Sequence, residues 1–172
     1  HAINLLSQKL HHSAHPTMMI VDALELICNY FDVAAVVITI AYDGYYHLHA
    51  GTNGERRRIY DTKIELEREN PLRQTIDSRL SLIFGDIQRH PYYQPIPTVK
   101  APKAAVIVPI KYGTEILGSL ALFRRNGIYT VADVAVFELM GSNFGTAYHT
   151  IAEQYLREID VQSMQYVLAA WP

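Results

Sequence analysis

Residues 86–103 combine aromatic, charged and imidazole side chains with four prolines, without a helix or strand pattern. Tyrosine rings offer area for burial, and polar groups offer fixed hydrogen-bond donors and acceptors, which together suit a small-molecule site. The predicted ligand contacts here are Asp86, Arg89, His90, Tyr92 and Tyr93. The alternative is a connection that the prolines stiffen and whose tyrosines pack on the core. Because long loops in compact domains are usually lids or binding loops, we expect residues 86–97 to form a lid.

A second candidate is Arg73, which lies in the first turn of a predicted helix. Asn70 is a favourable N-cap, and Pro71 suits the first helical position. Free N–H groups and the dipole at a helix start favour an anion, so Arg73 could hold a carboxylate or phosphate there. A solvated arginine is the alternative. Ser119, in a later apolar run, is a further predicted ligand contact.

His47 and His49 are separated by one residue in a predicted strand, so both side chains should point to the same face of the sheet. We predict them as ligand contacts. With His90 above them they could also form a three-histidine metal site. No acidic or cysteine partner has a suitable spacing, so a metal or haem is an alternative to the small ligand and not the prediction.

Arg56, Arg57 and Arg58 form the one dense basic run of the sequence, and acidic residues follow it closely. The run could pair with a phosphate-bearing ligand or nucleic acid, but a short run with no interleaved aromatic residue beyond Tyr60 is more typical of a solvated loop. We therefore expect no direct nucleic-acid binding. The sequence has no Gly-rich phosphate loop, nucleophile elbow or metalloprotease helix. Asp86 and His90 could form an acid–base pair, but no recognisable pattern places a nucleophile beside them. We therefore expect that the chain is not an enzyme.

The elements that must position these residues end in a hairpin and a long helix. Residues 104–110 and 115–123 are rich in β-branched and aromatic side chains, and Gly113 lies between them, where a hairpin loop requires a positive φ. Thr130 and Asp133 then have the spacing of a capping box, with Asp in place of Glu. A helix is therefore predicted to begin near Val131.

Several short motifs of this region resemble those of the GAF family. The closing strands carry a Val-Pro-Ile step and a Leu-Gly-Ser-Leu-Ala-Leu strand, and upstream stand Asn-Pro-Leu and a strand that ends in Asp-Ile. These motifs lie at residues 70–72, 83–87, 108–110 and 117–122, and a Tyr-Thr-x-x-Asp motif follows at 129–133. Their order and spacing carry the resemblance, which covers residues 17–155.

The patterns along the chain predict an α+β fold with a GAF/PAS-like twisted antiparallel sheet of about five or six strands. Helices should cover one face of the sheet and the irregular lid the other. The predicted strands are residues 33–40, 45–50, 59–64, 80–84, 104–110 and 115–123, with a turn at Asp43 and Gly44. The predicted helices before the last one are residues 3–10, 17–30 and 70–78. The resemblance implies a pocket between the sheet, the helix at Asn70 and the lid.

We expect three segments: an N-terminal helix within residues 1–16, a GAF domain at 17–157, and a separate connecting helix at 158–172. Because the chain begins at His1 without Met, we expect it to be part of a longer protein with a linked output domain. The candidate outputs are a kinase, a cyclase or phosphodiesterase, and a transcription-factor domain.

Cys28 is the one cysteine of the chain, and it lies on the apolar stripe of a predicted helix. We expect it to be buried core. The resemblance implies that a covalent bilin would need a cysteine after the fourth strand, so no covalent bilin is expected. The GAF-type free methionine sulfoxide reductases need several cysteines, and one thiol cannot complete their cycle.

Composition indicates a single domain in a reducing compartment. With 172 residues, 49% of them hydrophobic, the chain is long enough for a sizeable core. Its longest apolar run, residues 33–41, is too short to cross a bilayer, and no signal peptide is visible. A lone cysteine forms no internal disulfide, which is typical of the cytoplasm. We therefore predict a cytoplasmic domain without membrane contact.

The last helix carries apolar residues at alternating steps of three and four, the spacing of a coiled-coil seam. These residues are Phe137, Gly141, Phe144, Tyr148, Ile151 and Tyr155. One alternative is that the seam packs only on the sheet of its own chain. The other is that the N- and C-terminal helices together form a homodimer bundle, as the resemblance implies for many GAF sensors. We therefore predict a homodimer.

The resulting hypothesis is a sensory domain that binds an unknown small ligand under the lid and relays the signal through its terminal helices. Such a ligand shifts the population of two states only by its differential affinity for them. Signal transduction, such as a two-component system, or transcription regulation is the expected context. The alternatives are a dimerisation scaffold without ligand and a metal- or haem-dependent redox sensor.

Overall fold

Six antiparallel strands form one sheet in the structure, a computed structural model that describes residues 16–42 and 44–170. The strands are β1 (Ala35–Tyr42), β2 (Tyr45–Thr52), β3 (Arg57–Glu65), β4 (Leu82–Phe84), β5 (Ala104–Tyr112) and β6 (Glu115–Arg124). The helices are α1 (Pro16–Tyr30), α2 (Pro71–Ser78), a short 3-10 helix (Ile87–Arg89) and α3 (Val131–Ala170). The spatial order is β3-β2-β1-β6-β5-β4, and every neighbouring pair is antiparallel. The predicted α+β class and sheet are confirmed.

Local sequence signals account for the turns and helix starts. Gly113 has a φ of +59° in the two-residue loop between β5 and β6, and Gly44 has a φ of +77° between β1 and β2. Asp43, predicted in the same turn as Gly44, lies outside the described residues. The Thr130 N–H donates to the Asp133 carboxylate at 2.8 Å, and the Asp133 N–H donates to the Thr130 hydroxyl at 3.2 Å. The predicted capping box is confirmed.

The two faces of the sheet are covered differently. On the first, the helix face, α1 and α3 pack against alternate residues of the central strands, including Val36, Val108 and Leu120. On the second, the lid face, α2 and residues 86–103 cover the intervening residues, including Val37 and Phe123. The predicted layering is therefore confirmed, and the lid face is where the pocket was expected.

The apolar seam of α3 packs on the sheet of its own chain. Phe137, Phe144 and Ile151 are each no more than 3% exposed and belong to the helix-face core. The seam was part of the argument for a dimer, and these three residues pack within the chain instead. The expected break after Glu158 is also wrong, because α3 continues as one helix to Ala170.

The end of α3 extends beyond the sheet. Every side chain that the structure describes between residues 153 and 169 is exposed. The predicted N-terminal helix at residues 3–10, and nearly all of the segment 1–16, lie outside the described residues, as does Trp171.

Candidate functional site

Buried hydroxyl groups lie where α2 crosses β1 and β6 on the lid face. The Ser119 hydroxyl of β6 donates to the Leu72 carbonyl of α2 at 2.9 Å, which fixes the helix to the sheet. Thr39 of β1 is paired directly with Ser119 in the strand ladder, so the two side chains share this face. Thr75 lies one helical turn after Leu72 on the inner side of α2, and it is fully buried. A predicted contact, Ser119, thus lies beside two hydroxyls that sequence reasoning missed.

Two of these hydroxyls are unpaired. Thr39 and Thr75 are both 0% exposed, and neither oxygen has a hydrogen-bond partner among the described residues. The Tyr93 hydroxyl of the lid is likewise buried without such a partner. Burial raises the pKa of Tyr93 to about 12, so this phenol is neutral and can donate a hydrogen bond. Buried polar groups are normally paired, and exceptions often mark functional positions.

Arg73 does not offer a free cation to a ligand. Its guanidinium donates to the Leu66 carbonyl at 3.2 Å, contacts the Asp77 carboxylate at 3.5 Å and lies over the Tyr46 ring at 4.2 Å. A hydrogen bond to Asp77 in turn raises the pKa of the Tyr46 phenol. The Arg73 guanidinium therefore stabilises the packing of α2 against β2. It is not available as the cation of the predicted anion site.

The start of α2 is also satisfied internally. The Asn70 side chain accepts from the Leu72 N–H at 2.9 Å, and the Asn70 carbonyl accepts from the next two N–H groups of the helix. Pro71 has no N–H to offer. The predicted cap is confirmed, but this helix start has no donor left for an anion.

Most of the lid residues that were predicted to contact a ligand instead make contacts within the lid. Asp86 caps the 3-10 helix by accepting from the Gln88 N–H at 3.2 Å, and it pairs with Arg89 at 3.4 Å. Arg89 is 88% exposed, so it points to solvent and not into the predicted pocket. His90 accepts from the Tyr92 N–H at 3.2 Å. Of the five lid residues predicted to contact a ligand, Tyr93 is the one whose polar group is buried on the lid face.

His47 and His49 lie on the helix face. Tyr46 and Leu48 pack into the lid-face cluster, so His47 between them points to the opposite face. The ladder pairs Ile38 with Ala50 but Thr39 with Leu48, which leaves His49 as the extra residue of a bulge. The rings of His47 and His49 lie 6.4 Å apart, so the two histidines are close together as expected. Both were predicted to lie beneath the lid, however, and that is the opposite face of the sheet.

The three histidines therefore do not meet. His90 lies against Phe84 of β4, with ring centroids 5.6 Å apart, and three strands separate β4 from β2. Four strand spacings correspond to about 19 Å, far beyond the reach of one metal ion. No cluster of three or more His, Cys, Asp or Glu side chains suited to a metal occurs in the described part of the chain. The three-histidine interpretation was wrong.

Cys28 is half-buried against the helix-face core, and its thiol lies 3.9 Å from the Thr52 carbonyl. Burial, with a smaller contribution from the negative charge of Glu25, raises its pKa to about 11. Because the thiolate is the reactive form of cysteine, this thiol is poorly nucleophilic near neutral pH.

Comparison with known proteins identifies the family. The family model of the GAF domain matches residues 15–149, most of the chain. The chain therefore belongs to the GAF family, a class of general signalling and regulatory domains that bind small molecules. No curated protein matches the sequence.

Similar solved structures share the fold at low sequence identity. The GAF domain of a phosphoenolpyruvate-protein phosphotransferase from Coxiella burnetii has a TM-score of 0.75 and 14% identity, over 89% of this chain and 94% of that one. A free methionine-R-sulfoxide reductase from Neisseria meningitidis, in complex with its substrate, has a TM-score of 0.72 and 10% identity, over 89% of both chains. The A. aeolicus nlh2 GAF domain in an inactive state has a TM-score of 0.68 and 12% identity, over 87% of this chain and 94% of that one. None of the described helices is long and apolar enough to cross a membrane.

Proposed function

We propose that this domain is a sensor that binds a small, largely uncharged ligand between α2 and the lid face of the sheet. The observation that carries the proposal is the pair of fully buried, unpaired hydroxyls of Thr39 and Thr75 at this interface. Leaving a buried hydroxyl unpaired costs about 1–3 kcal/mol. A ligand with hydrogen-bonding groups would remove this cost in the bound state only.

The surrounding residues favour recognition by hydroxyls over recognition by charge. Arg73 is the nearest cation of α2, and its interactions with Asp77, Leu66 and Tyr46 already use it. The Tyr93 hydroxyl adds a neutral donor from the lid. The preferred ligand would therefore form hydrogen bonds with these protein hydroxyl groups and bury apolar surface against residues such as Leu72.

Ligand entry would require α2 to move. Leu72 and Thr75 are fully packed against the sheet, and α2 has only eight residues, so its packing and not its own helix propensity holds it in place. The Asn70 amide also donates to Gln94 of the lid at 3.2 Å, which joins the two covering elements. A ligand that prefers the displaced arrangement of α2 would shift the population toward it.

The relay would pass through β6 to α3. Ser119 contacts α2 on the lid face, and its neighbour Leu120 packs in the helix-face core with Phe144 of α3. A shift of α2 would thus alter the support of α3. We further propose that α3 leads to an output domain of a cytoplasmic signalling or transcription-regulating protein.

We also propose that this domain has no catalytic activity. Some proteins of similar fold are methionine sulfoxide reductases, but the single thiol here has a raised pKa and no second cysteine to form a disulfide. Cys28 also lies on the helix face, away from the proposed site. The test is incubation with free methionine-R-sulfoxide and a thiol reductant, and turnover that Cys28→Ser abolishes would contradict the non-catalytic proposal.

Replacing both Thr39 and Thr75 by valine should stabilise the free protein and weaken ligand binding. Valine keeps the shape of threonine but removes the unpaired hydroxyl, so we expect the free energy of unfolding to rise by about 1 kcal/mol per site. Urea unfolding measures this change. Native mass spectrometry of the wild type and the double variant compares any co-purifying small molecule.

The matched control is Ser119→Ala, which removes a hydroxyl that has a partner. That variant should lose about 1 kcal/mol, because the buried hydrogen bond from Ser119 to the Leu72 carbonyl is removed. Thermal denaturation of each variant with neutral nucleosides, amino acids and sugars at millimolar concentration supplies the binding readout. No co-purifying mass, together with no probe that stabilises the wild type more than the valine variant, would contradict the sensor proposal and favour the scaffold alternative.

We also propose that the projecting end of α3 pairs with a second copy of this chain. Leu156, Val161 and Met164 are 60%, 52% and 64% exposed there. Helices in proteins owe most of their stability to the packing of an apolar face, so a partner helix would stabilise this end of α3. Symmetric self-association is the commonest way to cover such a surface.

Analytical ultracentrifugation tests the dimer. The double variant Leu156→Glu with Met164→Glu should be a monomer where the wild type is a dimer, because charge in a helix pair is costly to bury. The control is Gln154→Glu with Gln162→Glu, which adds the same charge at exposed positions of the same helix. A monomeric wild type, or equal dissociation of both variants, would contradict this interface.

A further inference from the structure

Basic side chains from three distant segments line two adjoining clefts at the edge of the lid. One cleft, of about 380 Å³, is lined by Asn53, Glu55, Arg56, Arg57, Arg58, Pro97, Thr98 and Lys100. The other, of about 330 Å³, is lined by Val33, Ala34, Asn53, Glu55, Lys100 and Arg125. Because Asn53, Glu55 and Lys100 line both, we treat them as one surface, the basic cleft.

The charges of this cleft are largely unbalanced. Arg57 is paired with Glu25 at 3.3 Å and Asp22 at 3.7 Å, both on α1. The other cations are Arg56, Arg58, Lys100 and Arg125, and none of them forms an ion pair within the described part of the chain. Glu55 is the one carboxylate in the lining. Since the whole chain has a formal charge of −2, this excess of positive charge is local.

Local hydrogen bonds order the β2–β3 loop, residues 53–56, which carries Arg56. The Asn53 side chain accepts from the N–H groups of Glu55 and Arg56 at 3.1 and 2.8 Å. The Thr52 hydroxyl accepts from the Gly54 N–H at 3.1 Å, and Gly54 has a φ of +82°. Arg56 is therefore presented from an ordered turn, so less entropy is lost when it binds a ligand.

Buried contacts hold Thr98, just after the lid, against β2 and β3. The Thr98 and Tyr60 hydroxyls lie 2.9 Å apart in a buried hydrogen bond, and a Cβ at Gly51 would lie 2.7 Å from the Thr98 hydroxyl. Arg125 donates from its Nε to the Lys100 carbonyl at 3.3 Å, which leaves its terminal nitrogens for another acceptor. These contacts bring cations together against their mutual repulsion.

We propose that the basic cleft binds a small anion with two or more phosphate groups, either a free oligophosphate or the phosphate chain of a nucleotide. Arginine forks and a lysine ammonium suit phosphate oxygens. The carboxylates of Glu55, Asp22 and Glu25 bound the patch, which favours a compact anion over a long polyanion or a membrane surface. This site is separate from the proposed site at α2, so either can fail without the other.

Calorimetric titration of the 172-residue chain with inorganic tripolyphosphate tests the proposal. The variant Arg56→Gln with Lys100→Gln should bind at least about tenfold more weakly, because each substitution removes a charge-assisted contact. The control, Arg89→Gln with Arg157→Gln, makes the same charge change at exposed sites outside the cleft and should bind within twofold of the wild type. Higher salt should weaken binding. Equal losses in both variants, or no binding of tripolyphosphate to the wild type, would overturn the proposal.

Two further measurements separate the possible ligands and do not depend on variants. Titration with ATP shows whether a nucleoside adds affinity over tripolyphosphate, and either result supports phosphate recognition. Amide chemical shifts of the wild type should change around residues 53–58 and 98–100 on addition of tripolyphosphate. Changes confined to other residues would overturn the site, as would binding of RNA or anionic vesicles that tripolyphosphate does not displace.

Discussion

Replacing Gly145 by alanine should lower the free energy of unfolding by about 3 kcal/mol, the upper end of typical overpacking costs. A glycine to alanine change inside an exposed helix normally stabilises by about 1 kcal/mol. The expected sign is opposite here because α3 lies directly against the backbone of β5. A Cβ at Gly145 would lie 2.6 Å from the Lys111 carbonyl carbon and closer still to its oxygen.

A Cβ at Gly145 would meet backbone atoms of Lys111, so no side-chain rotation can relieve the clash. Gly141, one turn earlier, makes a similar approach, with a Cβ there 2.5 Å from the Pro109 carbonyl oxygen. The two glycines form the contact through which α3 packs along β5. Accommodating a methyl group would require α3 to move away from the sheet, which would open the packing of Phe144 and Ile151.

Urea unfolding of the Gly145→Ala variant measures the effect. The control is Thr146→Ala, at an exposed position of the same helix, and it should change the stability by less than about 0.5 kcal/mol. If Gly145→Ala instead stabilises the protein, as at a solvent-facing helical glycine, the close approach of α3 to β5 would be wrong. The same variant should also alter any output that α3 relays.

Replacing Ile87 by alanine should lower the free energy of unfolding by about 2–5 kcal/mol, as for other buried isoleucines. Ile87 is 0% exposed and packs in the lid-face cluster with Leu72 and Phe123. Its N–H also donates to the Lys103 carbonyl at 2.8 Å, so it lies where the two ends of the irregular segment 86–103 meet. The side chain is therefore the main apolar anchor at the start of the lid.

Two readouts distinguish local from global effects of this variant. Urea unfolding reports the global stability, and limited proteolysis reports opening of residues 86–103. The control is Arg89→Ala, two residues away and 88% exposed, which should be neutral by both measurements. A neutral Ile87→Ala variant would contradict the packing of the lid on the sheet. A destabilised Arg89→Ala variant would show that its ion pair with Asp86 contributes to the stability of the lid.

Local patterns were sufficient for the elements and the family. The Asn70 cap, the Thr130 capping box and the glycine of the β5–β6 hairpin depend on contacts within a few residues, so their spacing predicts them directly. Runs rich in β-branched and aromatic residues likewise predicted the closing strands. The GAF resemblance rested on the order of these same local motifs, and the family match confirms it.

The predicted site was less accurate because side-chain partners depend on tertiary contacts. Residue type and position along the chain suggested that Arg73 and Arg89 bind a ligand. In the structure, Arg73 instead contacts Asp77, Leu66 and Tyr46, and Arg89 points to solvent. Alternation with the lid-face residues Tyr46 and Leu48 places His47 on the helix face, and a one-residue bulge adds His49 near it.

The residues that now define the two proposed sites were brought together only by the fold. Thr39 and Thr75 are ordinary polar residues in the sequence, and their burial follows from the packing of α2 over β1 and β6. Arg56, Lys100 and Arg125 are far apart along the chain and meet at one cleft. Local hydrogen bonding and hydrophobic periodicity can be recognised in a sequence, whereas register, burial and the choice of partner arise only when distant segments pack together.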